Sequence, residues 1–230
     1  MTNKNIMIAP SLMCMDLTKF SEQLTFLDDK VDYYHVDIMD GHFVPNITLS
    51  PFFVSEVKKI AKKPIDCHLM VTDPINYIDE LGARGADIIS LQVETLDGKA
   101  FRIIDKIKKN GMKCGLVFNP NSSIELAQYY IELADIVTIM TVDPGFAGQP
   151  FIENMLLKIK EFKKYKEEKK LKYIISIDGG CNHKTFSKLL NAGAESLIVG
   201  SSGFFGYDSD ITKAWKIMTE YLNTSKSQLN

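Results

Sequence analysis

The chain has little that would tie it to a membrane, to nucleic acid or to an oxidising compartment. No apolar run approaches the ~18 residues a membrane helix needs. No long apolar stretch follows the basic residue near the N-terminus, so a signal peptide is not expected. Lys and Arg number 27 against 29 Asp and Glu, a formal net charge of -2 that offers no basic excess to a phosphate backbone. Four cysteines, at 14, 67, 114 and 181, form no CxxC pair. That spacing argues against a disulfide framework or a thiolate metal site, and Cys67 and Cys114, inside apolar runs, read as small buried hydrophobes of a cytoplasmic protein. No G-x-G-x-x-G follows the first apolar run, which counts against an open doubly wound dinucleotide fold. No linker and no sequence repeat divides the 230 residues, so one domain is expected, with a flexible tail from about residue 223.

What is present is an alternation. Short β-branched runs at 6–10, 33–39, 65–70, 87–92, 113–118, 136–140, 173–178 and 196–200 read as strands. Amphipathic stretches at 17–28, 51–61, 74–84, 99–110, 123–133, 151–169, 183–192 and 210–222 read as helices. Asp16, Ser50, Asp73, Ser122 and Asn182 stand where N-caps belong, and Gly85, Gly111 and Gly193 where helices should stop. The Lys-rich stretch from Lys158 to Lys172 reads as a solvated helix face. Eight strand–helix units in this length predict a closed (β/α)₈ barrel, the TIM-barrel form of an α/β protein.

A barrel of this kind does its chemistry at the C-terminal ends of its strands. His35 and Asp37 alternate to one face of the second strand, His68 lies toward the end of the third, and Asp178 ends the seventh. Two imidazoles and two carboxylates can hold a divalent metal, and the same carboxylates can move protons. The nitrogen and oxygen donors suit zinc, manganese, iron or cobalt. His42 reads as a loop contact and His183 as a surface residue. Gly-rich segments follow the sixth strand (Gly145-Phe146-Ala147-Gly148), the seventh (Gly179-Gly180) and the eighth (Gly200-Ser201), where barrels place phosphate on backbone amides. Met39, Met70 and Met140, near strand ends, read either as core filler or as an apolar belt that keeps water from an anionic intermediate.

Long segments resemble a known family: Ala9-Pro10-Ser11-Leu12, His35 through Asn46, Asp66 through Met70, Met140 through Gln149, and Asp178-Gly179-Gly180. They are similar to the ribulose-phosphate 3-epimerase family over residues 6–222. Within it, Ser11 through Leu17, Thr48 through Phe53, Val142 through Phe151 and the Cys181-Asn182 pair look most like the D-allulose-6-phosphate 3-epimerase branch, with D-ribulose 5-phosphate as the alternative substrate. The resemblance implies one divalent metal per subunit on His35, Asp37, His68 and Asp178, zinc foremost and magnesium a further choice. It implies Asp37 and Asp178 as the acid/base pair. Substrate contacts are implied for Ser11, His68, the Gly145–Gly148 loop, Asp178, Gly179, Gly180, Gly200 and Ser201. A homo-oligomer, from dimer to hexamer, acting on a phosphorylated ketose is expected. One position departs from the family: Gln92 stands where a His is usual, and it cannot titrate near neutral pH. A carbon–carbon lyase would more naturally use a strand-end Lys, and no strand candidate ends in one. A non-catalytic phosphosugar-binding barrel is the third reading.

Overall fold

In the computed structural model, which describes residues 6–228, the alternation closes on itself. The strands are β1 (Met7–Pro10), β2 (Tyr34–Met39), β3 (Ile65–Met70), β4 (Ile88–Gln92), β5 (Lys113–Phe118), β6 (Ile136–Met140), β7 (Ile174–Asp178) and β8 (Ser196–Val199). They pair in parallel in the order β1-β8-β7-β6-β5-β4-β3-β2. A bridge between Ser11 and His35 joins the two end strands. The α-helices around them are α1 (Phe20–Leu27), α2 (Pro51–Lys58), α3 (Ile78–Ala83), α4 (Ala100–Lys109), α5 (Met155–Glu168), α6 (Phe186–Ala192) and α7 (Ile211–Ser227). The barrel is as expected.

At three places the local structure differs from the expected pattern, for identifiable reasons. The stretch 123–133 is not an α-helix but two 3₁₀ turns, Ile124–Ala127 and Ile131–Leu133. Ile124 and Ala127 are buried three apart, the period of a 3₁₀ turn, Tyr130 and Ile131 are buried side by side, and Tyr129-Tyr130-Ile131 are weak helix formers. Past the expected helix end at 222, α7 carries on to Ser227 and buries Ser225 one turn beyond Leu222. An established helix gains one hydrogen bond for each residue it adds, which outweighs the poor propensity of Asn223-Thr224-Ser225. Residues 229–230 of the expected tail lie outside the described residues. Lys158 is not solvated: it is 9% exposed and donates to the carbonyls of Asn119 (2.5 Å) and Pro120 (3.4 Å). Burial draws its pKa down to about 8.

The caps hold in part. Asp16 accepts from the amide of Thr18, and the unforeseen Asp210 from that of Thr212. Ser50 and Asp73 make no such bond, and Ser122 turns its hydroxyl to Glu94 instead. Gly85, Gly111 and Gly193 take positive φ values of 95°, 76° and 120°.

Successive strand residues face opposite ways, and here the two faces differ in kind. Val36, Leu69, Leu91, Leu116, Ile139 and Ile177 join the helices in one apolar layer. The alternate positions supply His35, Asp66, His68, Ser90, Gln92, Thr138, Ser176 and Ser196, all 0% exposed and all polar. Branched apolar residues usually fill a barrel's interior. A buried polar group left unpaired costs about 1–3 kcal/mol, so most of these are hydrogen-bonded. The Tyr33 hydroxyl pairs with Ser176 (3.2 Å) and Ser196 (2.8 Å), and Ser90 donates to Asp66 at 2.6 Å. Gly115 makes room for that last bond, since a Cβ there would lie 2.1 Å from Ser90 Oγ.

Candidate active site

The pairing of β2 with β3 sets His35 beside Asp66 and Asp37 beside His68. The pairing of β6 with β7 sets Met140 beside Asp178. One atom from each of His35, Asp37, His68 and Asp178 then lies within 4.8 Å of the others. His35 Nε2 is 3.3 Å from Asp37 Oδ1 and 3.6 Å from Asp178 Oδ2. His68 Nδ1 is 3.3 Å and 3.7 Å from the same two oxygens. Ser11, at the barrel's closing seam, donates to Asp37 Oδ2 at 2.7 Å.

The electrostatics call for positive charge. Burial, the largest single influence on Asp37, would raise its pKa, but the charge and hydrogen bonds of His35, with a hydrogen bond from His68, hold it well below the usual carboxylate range. Burial would lower the pKa of His35, but the charge of Asp37 and the Asp178 and Asp66 carboxylates beside the ring raise it well above 6.5. A divalent cation can supply positive charge here, and the donor set fits one. His35 gives its Nδ1–H to Asp66 Oδ2 at 2.9 Å, so its Nε2 is aimed into the cluster, buried, with no hydrogen-bond partner. Asp66 was not singled out beforehand. It lies two residues before His68, so the alternation that paired His35 with Asp37 points to it as well.

Above the cluster is a pocket of about 580 Å³, open mouth included. Ser11, Asp37, Asp178, Gly179, Gly180, Gly200 and Ser201 line it, as does the Gly145–Gly148 loop with Phe146 and Ala147. Met39, Met70 and Met140 form its apolar wall, joined by Met13, Cys14 and Val142, which sequence reasoning missed. His35 and His68 do not line the pocket; both are fully buried beneath it. His42 pairs with the carbonyl of Asp40 in its loop (2.9 Å), and His183 stacks on Tyr221 at the surface. Both stand apart from the site.

The rim is backbone. Gly145 and Gly148 have φ values of 117° and 81°, and Gly179 and Gly180 of 104° and 62°. Asn46 donates to the Gly145 carbonyl at 2.7 Å, and Thr141 holds the Gly179 carbonyl. A Cβ on Gly179 would lie 2.5 Å from Val142 Cγ2. Beyond β8 the chain makes a short π-helical turn, Ser201–Phe205, and Asn182 reaches Ser202 at 3.3 Å.

Fold and site together define a (β/α)₈ barrel with a metal-ready centre of two imidazoles and two carboxylates below a Gly-lined mouth. Two solved barrels share the fold at low identity. A mutant tryptophan synthase α-subunit from Pyrococcus furiosus superposes with a TM-score of 0.68 at 15% identity, covering 95% of this chain and 98% of that one. A 3-hexulose-6-phosphate synthase gives 0.67 at 16% identity, covering 96% and 99%. Sequence is more specific: residues 7–205 match the model of the ribulose-phosphate 3 epimerase family. A ribulose-phosphate 3-epimerase of Bacillus subtilis is 39% identical over 199 residues, 86% of this chain and 91% of the relative. Those of Synechocystis and Escherichia coli are 37% and 34% identical over 88% and 87% of this chain, and 89% and 90% of their own. The chain belongs to the ribulose-phosphate 3-epimerase family.

Proposed function

We propose that the protein epimerises C3 of a ketose phosphate, with D-ribulose 5-phosphate as substrate and D-xylulose 5-phosphate as product. The observation that carries this reading is the four-residue cluster, with both its carboxylates lining one pocket. The family match and the printed names of the relatives supply the substrate. Inverting C3 requires removal of a proton next to a carbonyl and its return from the opposite face. Asp37 on β2 and Asp178 on β7 approach the pocket from different strands and serve as base and acid, exchanging roles in the reverse direction. The charge of His35 and the hydrogen bonds of His35 and His68 keep Asp37 ionised in spite of its burial. Ser11 holds one of its oxygens and fixes the direction of the other. A divalent ion on His35, Asp37, His68 and Asp178, zinc by preference, would supply Lewis acidity for the negative charge that develops on the substrate oxygens. The Met39, Met70 and Met140 wall excludes water from the reacting carbon, and the amides about Gly145–Gly148, Gly179-Gly180 and Gly200-Ser201 bind the phosphate.

The D-allulose 6-phosphate reading, first on sequence grounds, is kept second for the segments that favour it, Ser11 through Leu17 and Cys181-Asn182. The two substrates differ by one hydroxymethyl group, a difference that binding separates only modestly. Comparison of kcat/KM on both decides. The proposal expects the larger value on D-ribulose 5-phosphate; a larger value on D-allulose 6-phosphate reverses the order.

A further inference from the structure

We propose that Gln92 is the positioning residue that decides which nitrogen of His68 carries the proton, and that its amide turns over when a cation enters the site. This rests on the reading of His35, Asp37, His68 and Asp178 as a metal centre. Gln92 is fully buried at the end of β4. Its Nε2 lies 3.0 Å from Nε2 of His68, while its Oε1 is buried with no hydrogen-bond partner. An amide nitrogen can only donate, so Nε2 of His68 is the acceptor. A neutral imidazole has a single N–H, which in this arrangement is on Nδ1, 3.3 Å from Asp37 Oδ1. That arrangement pairs both nitrogens of His68 without a metal, and it is the wrong one with a metal, because Nδ1 is the atom facing the cluster and a ligand needs its lone pair.

Loading the site therefore requires the His68 proton to move to Nε2. Gln92 can follow by rotating its amide, so that the unused Oε1 accepts the new N–H. A side chain with a donor and an acceptor on one rotating group serves both states without a change of charge. His35 has no such freedom, because the Asp66 carboxylate can only accept and keeps the proton on Nδ1 in either state.

The test uses metal-stripped full-length protein, with 15N-labelled histidine to report the tautomer and cobalt(II) absorption to report binding. In the wild type the His68 proton is expected on Nδ1 without metal and on Nε2 with zinc. Gln92→Met, which keeps volume but removes both polar atoms, should weaken cobalt binding about 10–100-fold, the usual cost of losing an outer partner of a ligating His. Gln92→Glu, able only to accept, should hold the proton on Nε2 in both states and bind cobalt at least as well as wild type. A His68 proton on Nε2 in the stripped wild type overturns the inference, as does cobalt binding by a folded Gln92→Met within twofold of wild type. Wild type that binds no cobalt overturns the metal reading itself and this inference with it.

Discussion

The floor of the pocket and its rim are built by opposite means. The floor is side chains: His35, Asp37 and His68 are buried on adjoining strands, and each is held by another group, Asp66, Ser11 or Gln92. The rim is main chain, with glycines at positive φ in the loops after β6 and β7 and a π-helical turn after β8. A polar floor is not how a barrel is made most stable, since replacing buried ion pairs by apolar residues is often neutral or stabilising by about 1–4 kcal/mol. In the proposed function this polar floor is the place of chemistry. The rim needs no charged side chain because amides suffice for an anion. Changes to the floor should therefore act on rate and metal, and changes to the rim on substrate affinity.

The strongest way to break this division is at the two carboxylates. Asp37→Asn and Asp178→Asn should each lower kcat by about 10²–10⁴-fold, the range for general acid–base residues, with circular dichroism unchanged. A variant retaining near-wild-type kcat would remove that residue from the acid/base pair. Next is Asp66→Asn, one layer below. An amide can present a donor to His35 Nδ1 and unsettle its tautomer, so metal affinity should fall about 10–100-fold, as measured by competition with a chromogenic chelator. Unaltered affinity would mean that His35 is held by packing alone.

The rim variants should behave differently. Gly179→Ala places a Cβ against Val142 at a backbone φ of 104°, a strain of about 1–3 kcal/mol. It should raise KM and lower the melting temperature while leaving metal content intact. A fall in metal content would show that rim and floor are not separable. Phe146→Ala is the mildest. Phe146 is 47% exposed in the pocket's outer wall, so KM should rise only a few-fold. An effect on kcat as large as that of the aspartate variants would contradict the division.

Sequence showed the floor better than the rim, and the barrel better than some of its helices. Alternation places His35 and Asp37 on one face of a strand, so their meeting needs only the topology to be right. The same rule reaches Asp66, whose role as partner to His35 depends on the register of β2 against β3, and no single sequence carries that register. Met13 and Cys14 belong to a short 3₁₀ turn, Leu12–Cys14, which has no periodicity to read. The 123–133 stretch misled because residues three apart satisfy a 3₁₀ turn as well as one helix face. Lys158 was hidden for a related reason: nothing in an alternating Lys and Glu run says which lysine turns inward toward the carbonyls after β5. Gln92 was legible as an unusual residue, whereas its contact with His68 required the structure.

The most direct test of the two-carboxylate floor is solvent exchange at the reacting carbon. Metal-loaded enzyme, given D-ribulose 5-phosphate in deuterium oxide, should yield product with deuterium at C3 and at no other carbon, and neither Asp37→Asn nor Asp178→Asn should form that product at an appreciable rate. Product that keeps the substrate's own hydrogen at C3 would contradict proton exchange through two separate acid/base groups.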